Sequence, residues 1–198
     1  MDHGAARETS SVRLGIWIAE PVSISLRVPG QGDLKLMVQS TVDFLPAQCD
    51  PRLRAVADYW SRLPPTAPGV PSRRDFDPLD LPPRLLRHIW MVDVEVDPPR
   101  FRFRLCGSHL VEALGFDPTG RDYTDVFPDF AKSDTFAALS RVRDLGEPSW
   151  RAGDPKLVSP AHEIRLLERV FLPLTRDGQR VDIVLAASIY KTLDGNDI

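Results

Sequence analysis

The sequence has few of the features that mark secreted, metal-binding or membrane-spanning proteins. Among its 198 residues there are only two cysteines, Cys49 and Cys106, which is too few for a disulfide framework and shows no metal-ligand spacing. No apolar run approaches the roughly 20 residues that a membrane-spanning helix needs. The N-terminus lacks the basic start and apolar core of a secretory signal, because Asp2 and Glu8 occur early. We therefore expect a cytoplasmic protein with reduced thiols and no membrane span.

An excess of positive charge is also lacking. The chain has 25 Lys and Arg against 28 Asp and Glu, a formal net charge of −3. Non-specific nucleic-acid binding needs a basic surface, so no nucleic-acid partner is expected. The composition that remains, 42% hydrophobic and 27% charged, is typical of a soluble globular protein. The length suits one ordinary domain with extensions.

Two neighbouring segments near the centre of the chain alternate between apolar and charged residues. In 100–105 every second residue is arginine and the others are large and apolar, and in 89–96 valines alternate with Asp93 and Glu95. A period of two with one charged side is typical of a half-buried β-strand. The turn-forming triplet at 97–99 joins the segments. The pattern predicts an antiparallel hairpin whose acidic and basic rows pair on its outer side.

The remainder of the domain is predicted to consist of one group of helices followed by further strands. The predicted elements are a short helix at 108–114, a long helix at 129–145, and strands near 148–157, at 163–174 and at 180–190, with a tight turn at Asp177-Gly178 between the last two. Parallel pairing would require a helix between each pair of strands. The order therefore favours an α+β fold, with an antiparallel sheet and helices gathered on one face.

Residues 1–49 are predicted to form an N-terminal extension. Its apolar residues keep a period of two on either side of Pro21, at 12–18 and 22–28, and a turn at 29–32 follows, so a strand hairpin is favoured. An alternative is that the native protein starts at Met37 and that residues 1–36 do not belong to it.

An amphipathic helix and a proline-rich linker at 50–72 are predicted to precede the main domain at 73–192 and a short tail at 193–198. Asp50 is a plausible helix cap, and Pro51 suits the first helical position. The apolar stripe of this helix consists of Leu53, Val56, Tyr59, Trp60 and Leu63. The stripe either covers the protein's own sheet or forms an interface with a second subunit or a protein partner.

The order of elements over residues 50–192, with the residues that fill it, resembles a PAS domain. More narrowly, it resembles a bacterial family of short stand-alone PAS-like proteins without an effector domain. The matching segments are DPLDLPPRLLRHIWMVDVE (77–95), RFRFRLCGSHL (100–110), FDPTGRDYTDVF (116–127), in which Thr119-Gly120-Arg121 is the sharpest marker, and the hairpin around Asp177-Gly178. The resemblance implies a five-stranded antiparallel sheet with short helices and one long helix packed on it. It also implies sensing or signal-dependent protein interaction rather than catalysis.

The resemblance further implies that a small ligand, if one is bound, lies between the long helix and the inner face of the sheet. The residues expected around this cavity are Phe103, Leu105, Cys106, His109, Tyr123, Phe127, Phe136, Ile183 and Leu185. The alternative is that these residues simply fill the core, as aromatic and aliphatic side chains at strand and helix periods usually do.

No cofactor, metal site or catalytic residue is predicted, although a haem or flavin sensor and a small enzyme are alternatives. His109 could offer an imidazole to a haem iron. Cys106 lacks the Asn-Cys-Arg neighbourhood of flavin photosensors, so a structural thiol is favoured. His109 or His162 would be the base of an enzyme. The sequence around His162 and around His88 shows no nucleophile elbow, second metal ligand or phosphate loop. Surface positions are expected for His88 and His162.

Overall fold

The part of the chain that the computed structural model describes comprises residues 23–28, 31–37, 42–66, 69–155, 164–192 and 194–198. The chain divides into two compact units, Met1–Asp43 and Phe44–Ile198. The first unit contains an antiparallel hairpin of β1 (Ser23–Val28) and β2 (Gln31–Met37). The strand predicted at 12–18 lies outside the described residues.

The described residues of the second unit form a five-stranded sheet and five short to medium α-helices. In chain order these elements are α1 (Pro51–Ser61), α2 (Pro83–Leu86), β3 (Ile89–Glu95), β4 (Arg100–Cys106), α3 (Ser108–Leu114), α4 (Tyr123–Val126), α5 (Asp134–Leu145), β5 (Ser149–Gly153), β6 (Ile164–Leu174) and β7 (Ile183–Thr192). The strand order is β4-β3-β7-β6-β5, and every neighbouring pair is antiparallel. The predicted α+β class and five-stranded antiparallel sheet are confirmed. No helix in the described ranges is long and apolar enough to cross a membrane.

The β3–β4 hairpin forms as predicted, with one local irregularity. Asp93 Oδ1 forms an ion pair with Arg104 Nη1 at 3.3 Å, and Asp93 also pairs with Arg176. The acidic and basic rows therefore meet on the outer side. The register shifts by one residue between Met91 and Val92. Met91 lies opposite Leu105, whereas Val92 lies opposite Phe103. This bulge turns Leu105 away from the face that Phe103 occupies.

The sheet is covered on both faces. The inner face carries the main core cluster and packs against α3, α4 and α5; its central side chains are Trp90, Val92, Phe103, Phe171, Val184 and Ala186. Helix α1 packs on β6 and β7 from the other, outer face. Strands buried on both faces are apolar almost throughout, and β7 is fully buried from Ile183 to Tyr190.

Two predicted elements differ from the structure. Instead of one helix at 129–145, a 3₁₀ turn at Phe130–Lys132 precedes α5, and Ser133 Oγ caps α5 by accepting from the Phe136 amide at 3.1 Å. The tight turn predicted at Asp177-Gly178 is an eight-residue loop between β6 and β7. Within this loop Asp177 accepts hydrogen bonds from the Gln179 amide and from Thr175, so the Asp-Gly pair stabilises a wider connection.

Candidate functional site

A cavity of about 30 Å³ lies between the inner face of the sheet and α3, α4 and α5. Its apolar wall consists of Trp90, Phe103, Leu110, Leu114, Phe127 and Leu167, and its polar wall of Tyr123, Thr135, Arg151, Arg169, Ser188 and Tyr190. A volume of this size holds about two water molecules. The cavity therefore combines an aromatic and aliphatic wall with a polar wall of equal number, and polar groups placed in this way can orient a bound small molecule.

Arg169 is the most unusual residue in this cavity. It is only 5% exposed, and burial lowers its pKa to about 10. Its Nη1 donates to Thr135 Oγ1 at 3.0 Å, and its Cζ lies 4.4 Å from the centre of the Phe171 ring. Among the described residues, its Nε and Nη2 have no hydrogen-bond partner. Buried charges in proteins are normally paired, because an unpaired one costs several kcal/mol.

The other polar side chains of the cavity are uncharged, except for the partly exposed Arg151. Trp90 Nε1 donates to Ser188 Oγ at 2.9 Å. Burial raises the pKa of Tyr123 well above its ordinary value, and it raises the pKa of Tyr190 to about 12. Both phenols are therefore uncharged at neutral pH. Arg151, on β5, is partly exposed and pairs with Asp134 at 3.8 Å. The electrostatic character of the deep cavity is thus positive.

Of the nine residues expected around the cavity, the structure brings three to its wall: Phe103, Tyr123 and Phe127. Phe136 packs in the same core, with its ring 5.9 Å from that of Phe101. Cys106 is half-buried against that core, and burial raises the pKa of its thiol to about 11. A thiol with a raised pKa is protonated and unreactive at neutral pH, as a structural cysteine is.

Three other residues of the expected set lie away from the cavity, which corrects their assignment. Leu105 is 47% exposed because of the bulge in β3–β4. Ile183 and Leu185 are fully buried but lie on the outer face, since their pairing partners in β3 are Asp93 and Met91. The cavity side of β7 carries the intervening residues instead, among them Ser188 and Tyr190. The sequence did not predict this, because both faces of β7 are buried and alternation does not distinguish them.

His109 is also away from the cavity wall. It is fully buried, and its Nε2 accepts a hydrogen bond from the Tyr190 amide at 3.0 Å. Its ring centre lies 4.4 Å from that of His88, which is only 6% exposed and not on the surface as expected. Burial lowers the pKa of His109 to about 4, and the neighbouring positive charges act in the same direction. His162 lies outside the described residues.

These positions do not fit a haem or a flavin. A cavity of about 30 Å³ is much smaller than either group, and the Nε2 atom that would bind iron already accepts a backbone hydrogen bond. Within the described ranges, no group of three or more His, Cys, Asp or Glu side chains could hold a metal ion. The hydrogen bond of His109 instead joins α3 to β7.

Sequence reasoning missed the polar wall of the cavity, and above all Arg169. The available signal was an arginine in the middle of the apolar run of β6. Its neighbour Glu168 faces the opposite way, so the adjacent charges point to different sides of a strand that is buried on both. A charged residue in such a strand must satisfy its hydrogen bonds locally or bind something.

Helix α1 lies on the outer face of the same strand. Three residues of its predicted stripe, Leu53, Val56 and Trp60, are buried, and the other two, Tyr59 and Leu63, are half-buried. The stripe therefore covers the protein's own sheet, and Tyr59 OH donates to Asp80 Oδ2 at 2.9 Å.

Both ends of α1 are hydrogen-bonded to β6. At the start of the helix, Glu168 Oε1 accepts from the Asp50 amide at 2.8 Å and from Trp150 Nε1 at 2.9 Å. Near its end, Trp60 Nε1 donates to the Pro173 carbonyl oxygen at 2.9 Å. One strand thus holds α1 on one face and presents Arg169 to the cavity on the other.

Comparison with known proteins assigns this fold to a family. A family model described as PAS domain matches residues 49–189. The matched range includes α1, the whole helical layer and every cavity residue except Tyr190. Neither the curated proteins nor the solved structures contain a significant match to the chain.

Proposed function

The chain belongs to the PAS domain family, and from this premise we propose that it is a cytoplasmic sensory module without catalytic activity of its own. A small ligand in the core cavity changes how α1 docks on the sheet, and a protein partner binds α1 more or less tightly as a result. The observation that carries the proposal is that β6 contacts the cavity through Arg169 and holds α1 through Glu168.

The apolar stripe of α1 can serve the sheet or a partner, but not both at once. When α1 is docked, Leu53, Val56 and Trp60 are buried on β6 and β7. Each such side chain contributes about 1.5–3 kcal/mol when it is fully buried, so the docked state dominates. A second copy of the chain or another protein that binds the stripe competes with the sheet.

The ligand would act by shifting this equilibrium. Coupling between two sites is typically about 1–3 kcal/mol, which changes the population of a minor state by about 5- to 150-fold. Adjacent residues on one strand are a short route for such coupling, because a displacement of the backbone at Arg169 also displaces Glu168. When Glu168 moves, the hydrogen bond that its side chain accepts from the Asp50 amide changes in length.

The test compares three variants of the α1 anchorage. Glu168→Ala removes the acceptor for the Asp50 amide, whereas Glu168→Gln is the matched control, because the amide oxygen can still accept. Trp60→Asp destabilises the other end of the helix. We expect faster amide exchange over 52–61 and an altered oligomeric state or set of captured partners in Glu168→Ala and Trp60→Asp, with the five-stranded sheet still protected.

Glu168→Gln should behave as the wild type in both measurements. Unchanged elution in size-exclusion chromatography together with unchanged partners in all three variants, despite faster exchange in α1, would remove this helix from the mechanism.

A further inference from the structure

We infer that the cavity binds a short monocarboxylate, whose carboxylate group is held by the guanidinium of Arg169. This inference rests on the proposed sensory function, and it names the chemical class of the ligand. It starts from the two donors of Arg169, Nε and Nη2, that have no hydrogen-bond partner among the described residues.

The two unpartnered donors are adjacent on the guanidinium. Nη1, the remaining nitrogen, is occupied by Thr135 Oγ1 at 3.0 Å. Nε–H and one N–H of Nη2 lie on the same edge of the planar group and point in parallel directions, which is the fork that receives the two oxygens of a carboxylate. Thr135 and the Phe171 ring, 4.4 Å from Cζ, fix the plane of this fork. The site is therefore oriented before any ligand arrives.

Charge and lining decide the class of ligand. Arg169 and Arg151 exclude a cation, and Tyr123 and Tyr190 are neutral donors rather than counter-ions. The opposite wall, with Trp90 and Leu110 among its members, is apolar and suits a hydrocarbon end. An anion of two well-separated charges would leave one of them against this apolar wall, so a single carboxylate is favoured.

Size limits the ligand further. A cavity of about 30 Å³ accommodates about two water molecules, so only the smallest carboxylates approach its size. Formate and acetate are therefore the probes, and formamide and acetamide are their neutral counterparts of nearly equal shape.

The experiment monitors Arg169 directly. The Nε–Hε resonance of Arg169 is assigned by ¹⁵N NMR from its loss in Arg169→Met and followed during titration with sodium formate or sodium acetate, at constant ionic strength kept with sodium chloride. We expect a saturable shift with the carboxylates and none with the amides. Arg169→Met should remain folded with an equal or higher melting temperature, because it removes an unpaired buried charge. It should weaken carboxylate binding, measured by calorimetry, by at least about tenfold.

Arg143→Met is the matched control for loss of a largely buried arginine, because Arg143 stacks on Phe101 and pairs with Asp144 outside the cavity. It should bind the carboxylates as the wild type does. The inference is overturned if the Nε–Hε resonance does not shift, if the amides shift it equally, or if Arg169→Met binds as tightly as the wild type.

The same titration separates this inference from the proposed function. Carboxylate binding at Arg169 without any change of amide exchange in α1 would support the ligand class and overturn the coupling to α1. Altered exchange in α1 with acetamide but no carboxylate binding would overturn the ligand class and leave the sensory function standing.

Discussion

His109 should make this protein sensitive to mild acid in a way that a single substitution removes. In the native state its pKa is about 4, against 6.5 for an ordinary histidine, because it is buried and because His88, Arg87 and Arg52 add positive charge that Asp197 offsets only in part. Its Nε2 accepts the Tyr190 amide hydrogen bond. Protonation at Nε2 would therefore abolish that bond as well as bury a charge.

The sign of the effect follows from proton binding. Between pH 6.5 and 4 the unfolded chain carries a proton on this histidine and the native state does not, so unfolding takes up one proton and acid favours it. The stability is fully present above pH 6.5 and is lost as the pH falls towards 4. A difference of 2.5 units corresponds to about 3 kcal/mol, which is a large part of the stability of a typical domain.

The variant that tests this is His109→Gln, because the glutamine amide oxygen can accept the Tyr190 hydrogen bond but cannot be protonated in this range. At pH 7.5 it should cost at most about 1.5 kcal/mol. Urea unfolding, followed by tryptophan fluorescence at several pH values from 7.5 to 4.5, gives the free energy of unfolding of each protein. The wild type should lose about 1.4 kcal/mol per pH unit more than the variant below pH 6.

His88→Gln is the control, because it retains His109 in the same buried position. It should keep most of the extra slope, since burial is the largest cause of the lowered pKa of His109. Parallel curves for the wild type and His109→Gln would refute the reasoning, and would mean that His109 titrates alike in the folded and unfolded states.

Two further predictions concern packing, and melting temperature measures both. Gly107→Ala should destabilise the protein by more than about 2 kcal/mol, because a Cβ there would lie 2.6 Å from the Ile89 carbonyl oxygen and closer still to that of Arg87; a loss no larger than about 1 kcal/mol would contradict this. Leu185→Ala should cost about 2–5 kcal/mol because the side chain is fully buried, whereas Leu105→Ala should change stability by less than about 0.5 kcal/mol. Equal losses at the two leucines would contradict the placement of Leu105 outside the core.

Local sequence patterns predicted the elements of this fold better than they predicted the faces of its strands. Strand β4 was predictable because only one of its faces is strongly apolar, so Phe101 and Phe103 alternate with exposed arginines. In β6 and β7 both faces are buried, and the alternation that identifies an inner face is absent. The assignment of Ile183 and Leu185 to the cavity failed for this reason.

Tertiary contacts explain the other differences. The bulge that turns Leu105 outward is a property of the pairing of two strands and leaves no mark in the alternation of 100–105. The burial of His88 depends on α3, since the His88 ring lies against His109. Such contacts between segments that are distant in sequence cannot be obtained from the periodicity of either one.

The charges of β6 connect the proposals made above. A strand covered on both faces would be most stable with apolar side chains alone, yet Glu168 and Arg169 are both buried in its centre. Glu168 satisfies two donors, at Asp50 and Trp150, so its charge has a structural use. Within the described part of the chain, Arg169 makes one hydrogen bond and two of its donors have no partner, so its structural use is incomplete. A carboxylate ligand would supply the partner that Arg169 lacks and would do so one residue from the acceptor that holds the start of α1. We therefore predict that the backbone of Glu168 and Arg169 is the strongest coupling between ligand binding in the cavity and the docking of α1.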